Sequence, residues 1–312
     1  MNDHAGRCVG SVKPTAIFDA HHHFWDLAGP GHYPWLQDAY DEQFFLGDYR
    51  RMCHNFLPDD LRAAYKNWPL IGSVHVEAER SRREQVAETR WLAALSAQTG
   101  LPTLIVGHVY FTQPDRDEIL AGHAACALVR GVRSKPTIAR TADESVRGQA
   151  GTLQDPAFAA GLAALMRFGL SWDLRVPFWH LQEAADLLAD FPALPVVINH
   201  LGLPLDRSDE ALSIWRQGLA ALAALPATTL KVSELGLFGG RWDAPSNRRV
   251  IAEAVTIFGF ERCMFASNLP VSRLSVGLDE LIETIMAALP DATQSQLDAL
   301  FAGTARRFYR AM

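Results

Sequence analysis

Cysteine is scarce in this chain: four among 312 residues (Cys8, Cys53, Cys126 and Cys263), widely scattered and with no C-x-x-C pair. That spacing argues against a disulfide framework and suits a reducing cytosol. Long apolar runs are missing as well. None approaches the roughly 18 residues of a membrane span, and the first fourteen residues lack the apolar stretch of a secretory signal. Basic runs are also absent: 29 Lys and Arg are interspersed with 35 Asp and Glu for a net charge of -6. Nucleic acid and anionic membrane are therefore not expected as partners. No Gly-rich phosphate turn follows an early β-like run, which counts against a dinucleotide fold. A cytoplasmic protein with a small-molecule partner is expected, and a homodimer, the commonest soluble assembly, is compatible with the sequence.

What is present is a large hydrophobic fraction, 49%, enough for a barrel-sized core. Eight short β-like runs recur: Thr15–Ala20, Ile71–Val76, Thr103–Val109, Ala127–Val132, Ser171–Val176, Pro195–Asn199, Thr229–Ser233 and Cys263–Ala266. Helical periodicity marks Glu79–Thr99, Pro156–Phe168, Leu181–Phe191, Glu210–Leu225 and Pro245–Phe258 between them. Eight alternations predict a parallel sheet closed into a (β/α)8 TIM barrel, with a doubly wound open sheet as the runner-up. Such a barrel needs ~250 residues. The surplus is assigned to a flexible N-terminal tail over 1–14 and to a long first connection, Asp26 to Pro69, that forms part of a lid. Residues 15–312 are read as a single domain.

In a βα barrel the chemistry lies at the C-terminal ends of the strands. The first run ends in His21-His22-His23, and residues two apart on a strand face the same way. His21 and His23 are thus a candidate pair for holding a metal, or for polarising a carbonyl while moving protons. A His-rich segment so near the N-terminus can equally be a tag or a solvated loop. Later runs end in Glu77, Arg133, Arg175, His200, Glu234 and Asn268. Polar groups at nearly every strand end would be costly to bury without partners, so a ring of them implies a working cavity. Other nearby residues have plainer readings. His75 is expected to pack inside the barrel, Lys231 to be solvated or paired, and Glu79 to begin a helix.

Five motifs carry a family resemblance: Asp19-Ala20-His21-His22-His23-Phe24-Trp25-Asp26, Tyr33-Pro34-Trp35-Leu36, Gly131-Val132-Arg133, Asn199-His200-Leu201-Gly202 and Ala305-Arg306-Arg307-Phe308-Tyr309. In order and spacing the chain resembles the amidohydrolase-related lactonases, which include 2-pyrone-4,6-dicarboxylate and L-fucono lactonases. The likeness runs from about Ile17 to Arg310. It implies a (β/α)8 barrel that hydrolyses a lactone, often a carboxylated one, with a divalent metal in some members and none in others.

One departure stands out. The last strand of that family usually ends in Ser-Asp-Trp-Pro or Ser-Asp-Phe-Pro, whose aspartate is expected to act as base and, where a metal is present, as ligand. Here the run is Ala266-Ser267-Asn268-Leu269-Pro270. An amide cannot take a proton from water, though it can orient water or support an oxyanion. Glu77 is the favoured replacement base, because its place often holds glutamine in the lactonases, and Glu234 is the second. Glu234 has an alternative reading as ion-pair partner of Lys231 or Arg241.

His21, His23 and His200 are then expected around the reacting carbonyl or its metal. With Glu77 they also make a donor set for Zn²⁺ or Mn²⁺ with water in the open position, and metal occupancy stays open. Arg133 is assigned to a substrate carboxylate. Arg175 either does the same or pairs with Asp173. Trp25 and Trp242 are candidate walls for a flat ring, as are Trp35 and Trp179. The expected substrate is a small, anionic lactone. Alternatives on the same fold are a metal-dependent decarboxylase, a lactone isomerase, or an inactive ligand-binding homologue.

Overall fold

The computed structural model describes residues 13–38 and 40–311. Most of the predicted N-terminal tail, residues 1–12, lies outside them. Eight strands form one parallel sheet in sequential order: β1 (Ile17–His22), β2 (Leu70–Val76), β3 (Leu104–His108), β4 (Val129–Arg133), β5 (Ser171–Leu174), β6 (Val196–Ile198), β7 (Thr228–Val232) and β8 (Cys263–Phe265). The two ends meet just beyond β8. His22 pairs with Leu269, the His23 N–H donates to the Leu269 carbonyl at 2.8 Å, and the Asn268 N–H donates to the His21 carbonyl at 2.8 Å. The chain is a (β/α)8 barrel, and the closing contact is made by the residues on which the site is built.

A strand's period of two decides which side chains enter the barrel. On β5 and β7, Trp172, Leu174, Leu230 and Val232 pack outward into the helix layer. Asp173 and Lys231, which alternate with them, fall inside. Val74, Val106, Val197 and Met264 form the apolar interior, joined by Ala305 and Tyr309 of the C-terminal segment. Continuing each inward phase past the strand end delivers polar residues to the mouth: Arg133 after Gly131, Arg175 after Asp173, Asn268 after Ala266. Gly131 is required where it stands. A Cβ there would sit 2.2 Å from the Ser171 hydroxyl and 2.8 Å from its carbonyl oxygen, so any larger residue would push β4 away from β5.

Pro156–Phe168 is helical as predicted, with Asp155 capping its first turn through the Ala157 N–H at 2.9 Å. The helix predicted from Glu79 instead starts at Gln85. Glu79 sits at φ 54, a left-handed conformation that cannot open a helix. Helices at Arg116–Ala124 and Leu278–Ala288 have no counterpart in the pattern reading. The first of them buries only Leu120 and His123, which leaves almost no periodic signal. Among the described residues, no helix is long and apolar enough to cross a membrane.

The first connection folds over the mouth. It is tacked to itself by the Trp25–Phe56 bridge, and the Tyr49 hydroxyl donates to the Trp35 carbonyl at 2.9 Å. Trp35, Phe44, Phe45 and Tyr49 from this segment line one wall of the cavity below.

Candidate active site

The cavity at the C-terminal face has a volume of about 270 Å³. His23, His200, Glu234 and Asn268 line it, as do Arg133, Lys135, Arg175 and Glu79, opposite the aromatic wall. Four of these, Glu79, His200, Glu234 and Asn268, hold left-handed backbone at φ 54, 59, 45 and 53. Such conformations cost non-glycine residues of order 1–3 kcal/mol each and tend to cluster where they serve a site. Here His200, Glu234 and Asn268 turn three successive strand ends, after β6, β7 and β8, toward one space, and Glu79 does so after β2.

The histidines form a chain through buried polar groups. His23 donates Nδ1–H to the Val76 carbonyl at 2.7 Å, which leaves its Nε2 facing His21 Nε2 at 3.3 Å. His21 Nδ1 lies 3.3 Å from the Lys231 ammonium, which is ion-paired with Asp173. The Tyr309 hydroxyl and the Asn199 amide donate to the same Asp173 carboxylate at 3.0 Å each. Lys231 is thus paired and fully buried, not solvated. His200 Nδ1 is held by the Ser233 hydroxyl at 2.9 Å, so its other edge reaches the cavity. Burial pushes the pKa of all three histidines well below the usual imidazole range. Lys231 adds to this at His21, Arg133 at His23 and Arg175 at His200.

The two acids have opposite fates. Glu77 is fully buried, one oxygen bound by Arg133 Nε and the other accepting the Glu79 N–H at 2.8 Å. Burial alone would raise its pKa, but Arg133, His108 and Lys135 outweigh that and hold it at about 2. A carboxylate so stabilised is a poor base. It is also not among the residues lining the cavity. The geometry therefore runs against Glu77 as base or ligand and makes it the anchor of Arg133. Glu234 pairs with neither Lys231 nor Arg241. Its carboxylate accepts the Asn268 side-chain amide and, at 3.3 Å, the Gly236 N–H. Burial drives its pKa up to about 7 against these hydrogen bonds and Arg175.

Arg175 does not pair with Asp173, whose oxygens are taken by Lys231, Tyr309 and Asn199. Among the described residues its guanidinium has no ion-pair or hydrogen-bond partner, and it lies 6.0 Å from the Phe45 ring centroid. Trp25 and Trp242 do not line the cavity. Trp25 is fully buried, its indole N–H donating to the His54 carbonyl at 2.7 Å, and Trp242 packs against the core. Trp35 does reach the cavity, fixed by its N–H to the Ala78 carbonyl at 2.9 Å. In the sequence Lys135 shows only as the next residue in the inward phase of Gly131 and Arg133, with no motif to mark it.

The donor set answers the metal question in part. Two Zn–N bonds of about 2.0–2.1 Å at a tetrahedral angle put their nitrogens about 3.3–3.4 Å apart. The His21–His23 separation, 3.3 Å, matches. Nothing completes the set: among the described residues, no three His, Cys, Asp or Glu side chains are grouped to hold a metal ion. The His200 ring lies beside the pair, its centroid 4.7 Å from that of His21, and the neutral Asn268 Oδ1 lies 3.3 Å from His23 Nε2. The residues present do not make a full cage, and no step is assigned to a metal. Asn268→Asp supplies the missing anion, so purified Asn268→Asp should retain at least tenfold more Zn²⁺ per chain than wild type. Equal content by elemental analysis would contradict this account of the pair.

The sequence profile of the amidohydrolase family matches residues 18–311. The chain belongs to that family. This amidohydrolase is 32% identical over 299 residues to the uncharacterised protein y4mH of Sinorhizobium fredii, covering 96% of this chain and all of that one. It is 29% identical to an L-fucono-1,5-lactonase of Burkholderia multivorans, over 93% of this chain and 95% of that one. Among solved structures, an amidohydrolase of Burkholderia multivorans with bound Zn superposes with a TM-score of 0.75 at 28% identity, covering 95% and 99% of the two chains. The chain is accordingly an enzyme of the amidohydrolase family with lactone-hydrolase relatives.

Proposed function

We propose that this amidohydrolase opens a small anionic lactone by attack of water, with Glu234 as base. The observation that carries the reading is a single cavity holding a buried carboxylate of pKa about 7 on one wall and an unpaired guanidinium, Arg175, on another. A general base works best when its pKa lies near the working pH. Asn268 binds Glu234 and lies 3.3 Å from His23, so it orients both carboxylate and water. Water gives a proton to Glu234 as its oxygen bonds to the carbonyl carbon. The carbonyl oxygen then develops charge, which His200 and Arg133 stabilise as fixed dipole and fixed charge. Arg133 cannot drift, because Glu77 holds it through Nε and through the backbone carbonyl at 2.8 Å. The aromatic wall takes the ring, and Arg175 takes a substrate carboxylate in bidentate fashion. The kinship with L-fucono-1,5-lactonases supports the lactone, not a particular one.

A panel of neutral and carboxylated lactones tests the reading, assayed with and without chelator. Wild type should open carboxylated members, and Arg175→Met should raise KM for these by about 10–100-fold, the cost of a charged hydrogen bond. KM for a neutral lactone should change less than threefold. An equal rise for both classes would remove Arg175 from carboxylate recognition.

A further inference from the structure

Opening a lactone moves two protons at two oxygens. Water loses one as it attacks, and the ring oxygen gains one as its bond to carbon breaks. The proposed base occupies the β7–β8 wall. In a closed sheet of eight sequential strands, β4 stands four steps from β8 and so faces it across the mouth. Lys135 follows β4 there, in the inward phase of Gly131 and Arg133, and lines the same cavity as Glu234.

Other proton-bearing groups on the walls are unsuited to the task. Arginine does not give up a proton in proteins, which removes Arg133 and Arg175. Burial keeps His23 and His200 uncharged. The Tyr49 hydroxyl is committed to the Trp35 carbonyl. The groups facing Lys135 are Glu77 and Glu79 from the end of β2, Arg175 from the end of β5 and Arg133 on its own strand. Glu79 pairs with the ammonium, and its left-handed backbone places it beside Lys135. The Glu79 side chain is 44% exposed, which provides a path for protons from solvent. Burial brings Lys135 down to about 8, with Glu77 opposing and Arg175 adding to the shift, so it can release a proton near neutrality.

We propose that Lys135 is the general acid that protonates the departing ring oxygen; this rests on the lactone-hydrolase reading above. The steps balance as follows. Water bonds to the carbonyl carbon and its proton goes to Glu234. Collapse of the tetrahedral intermediate breaks the carbon–ring-oxygen bond, and that oxygen takes a proton from the Lys135 ammonium. The product leaves as a hydroxy acid. Solvent returns a proton to Lys135, by way of Glu79, and removes one from Glu234.

A leaving group that is already stable as an anion needs no acid. The experiment therefore compares Lys135→Met and Lys135→Arg with wild type on two substrates: a lactone of an alkyl alcohol, and an aryl ester or enol lactone of similar size. Lys135→Met should lower kcat on the alkyl lactone by about 100-fold or more, within the usual range for a lost general acid. On the activated substrate it should lower kcat less than fivefold. Lys135→Arg keeps the charge but cannot give up its proton. It should hold KM within threefold yet lose kcat on the alkyl lactone as Lys135→Met does. Equal losses on both substrates, or full alkyl-lactone turnover by Lys135→Arg, would overturn the role while leaving the lactonase reading intact. Failure of wild type to open any lactone would overturn both.

Discussion

Replacing Glu234 by glutamine lowers kcat by about 10²–10⁴-fold, the usual contribution of a positioned general base. The amide retains the size and some hydrogen bonding to Asn268 but has no basicity. In wild type, kcat/KM on an alkyl lactone should rise with pH through about 7, because Glu234 must be ionised to accept the proton of water, and fall again above about 8, where Lys135 loses the proton it gives. Glu234→Asp keeps a carboxylate at shorter reach and should retain a rising limb at reduced rate, which Glu234→Gln loses. The sign of the stability effect is opposite. A carboxyl raised from 4.5 to about 7 by burial stabilises the fold fully only below about pH 4.5, and that contribution is lost as pH rises through about 7. At pH 8 the glutamine variant should therefore melt higher than wild type while turning over far more slowly. A flat pH profile in wild type, or near-normal kcat in Glu234→Gln, would remove Glu234 from the chemistry.

Glu77→Gln separates a structural acid from a catalytic one. Removing one partner of a buried ion pair leaves the other charge uncompensated, at a cost of about 3–5 kcal/mol. Arg133 would be that stranded charge, since among the described residues Glu77 supplies both its side-chain and its backbone acceptor. A carboxyl held at about 2 instead of 4.5 stabilises the folded state by about 3 kcal/mol, consistent with that figure. The contribution is fully present above about pH 4.5 and disappears as pH falls through about 2. Chemical denaturation at pH 7 should show the loss, and acid unfolding should show a smaller gap between variant and wild type at pH 2–3. Folded Glu77→Gln should lower kcat by about tenfold with KM little changed, because a loosened Arg133 stabilises the developing oxyanion less well. A thousandfold fall in kcat with stability and KM unchanged would restore Glu77 as the base.

The two acids illustrate what could be read in advance. Each follows an apolar run by the same rule, and nothing in the linear pattern ranks one above the other. Only the family resemblance favours Glu77, because lactonases often carry an uncharged residue there. Its partner, Arg133, comes 56 positions later, and only the parallel pairing of β2, β3 and β4 brings the two together. The pKa of Glu234 likewise depends on enclosure by β7 and β8 and on an amide 34 positions away. Trp25 fails as a substrate wall for a related reason. An aromatic in a loop following a strand can face the mouth or the helix layer, and the Trp25–Phe56 bridge turns this one inward to the core. Asp173 and Lys231 were visible as strand residues, but their pairing inside the barrel requires closure of the sheet.

Local patterning by itself determined the count of strands, their parallel order, the ring of polar residues at their ends, and the family to which those ends belong. These are short-range properties, because hydrophobic period and strand-end chemistry are written within a few residues. Tertiary structure alone decided which acid is clamped by an arginine and which is raised by burial, which arginine lacks a partner among the described residues, and which lysine shares the cavity with Glu234. Charge and pKa depend on what lies within a few ångströms, and in a closed barrel those neighbours come from strands far apart in the chain.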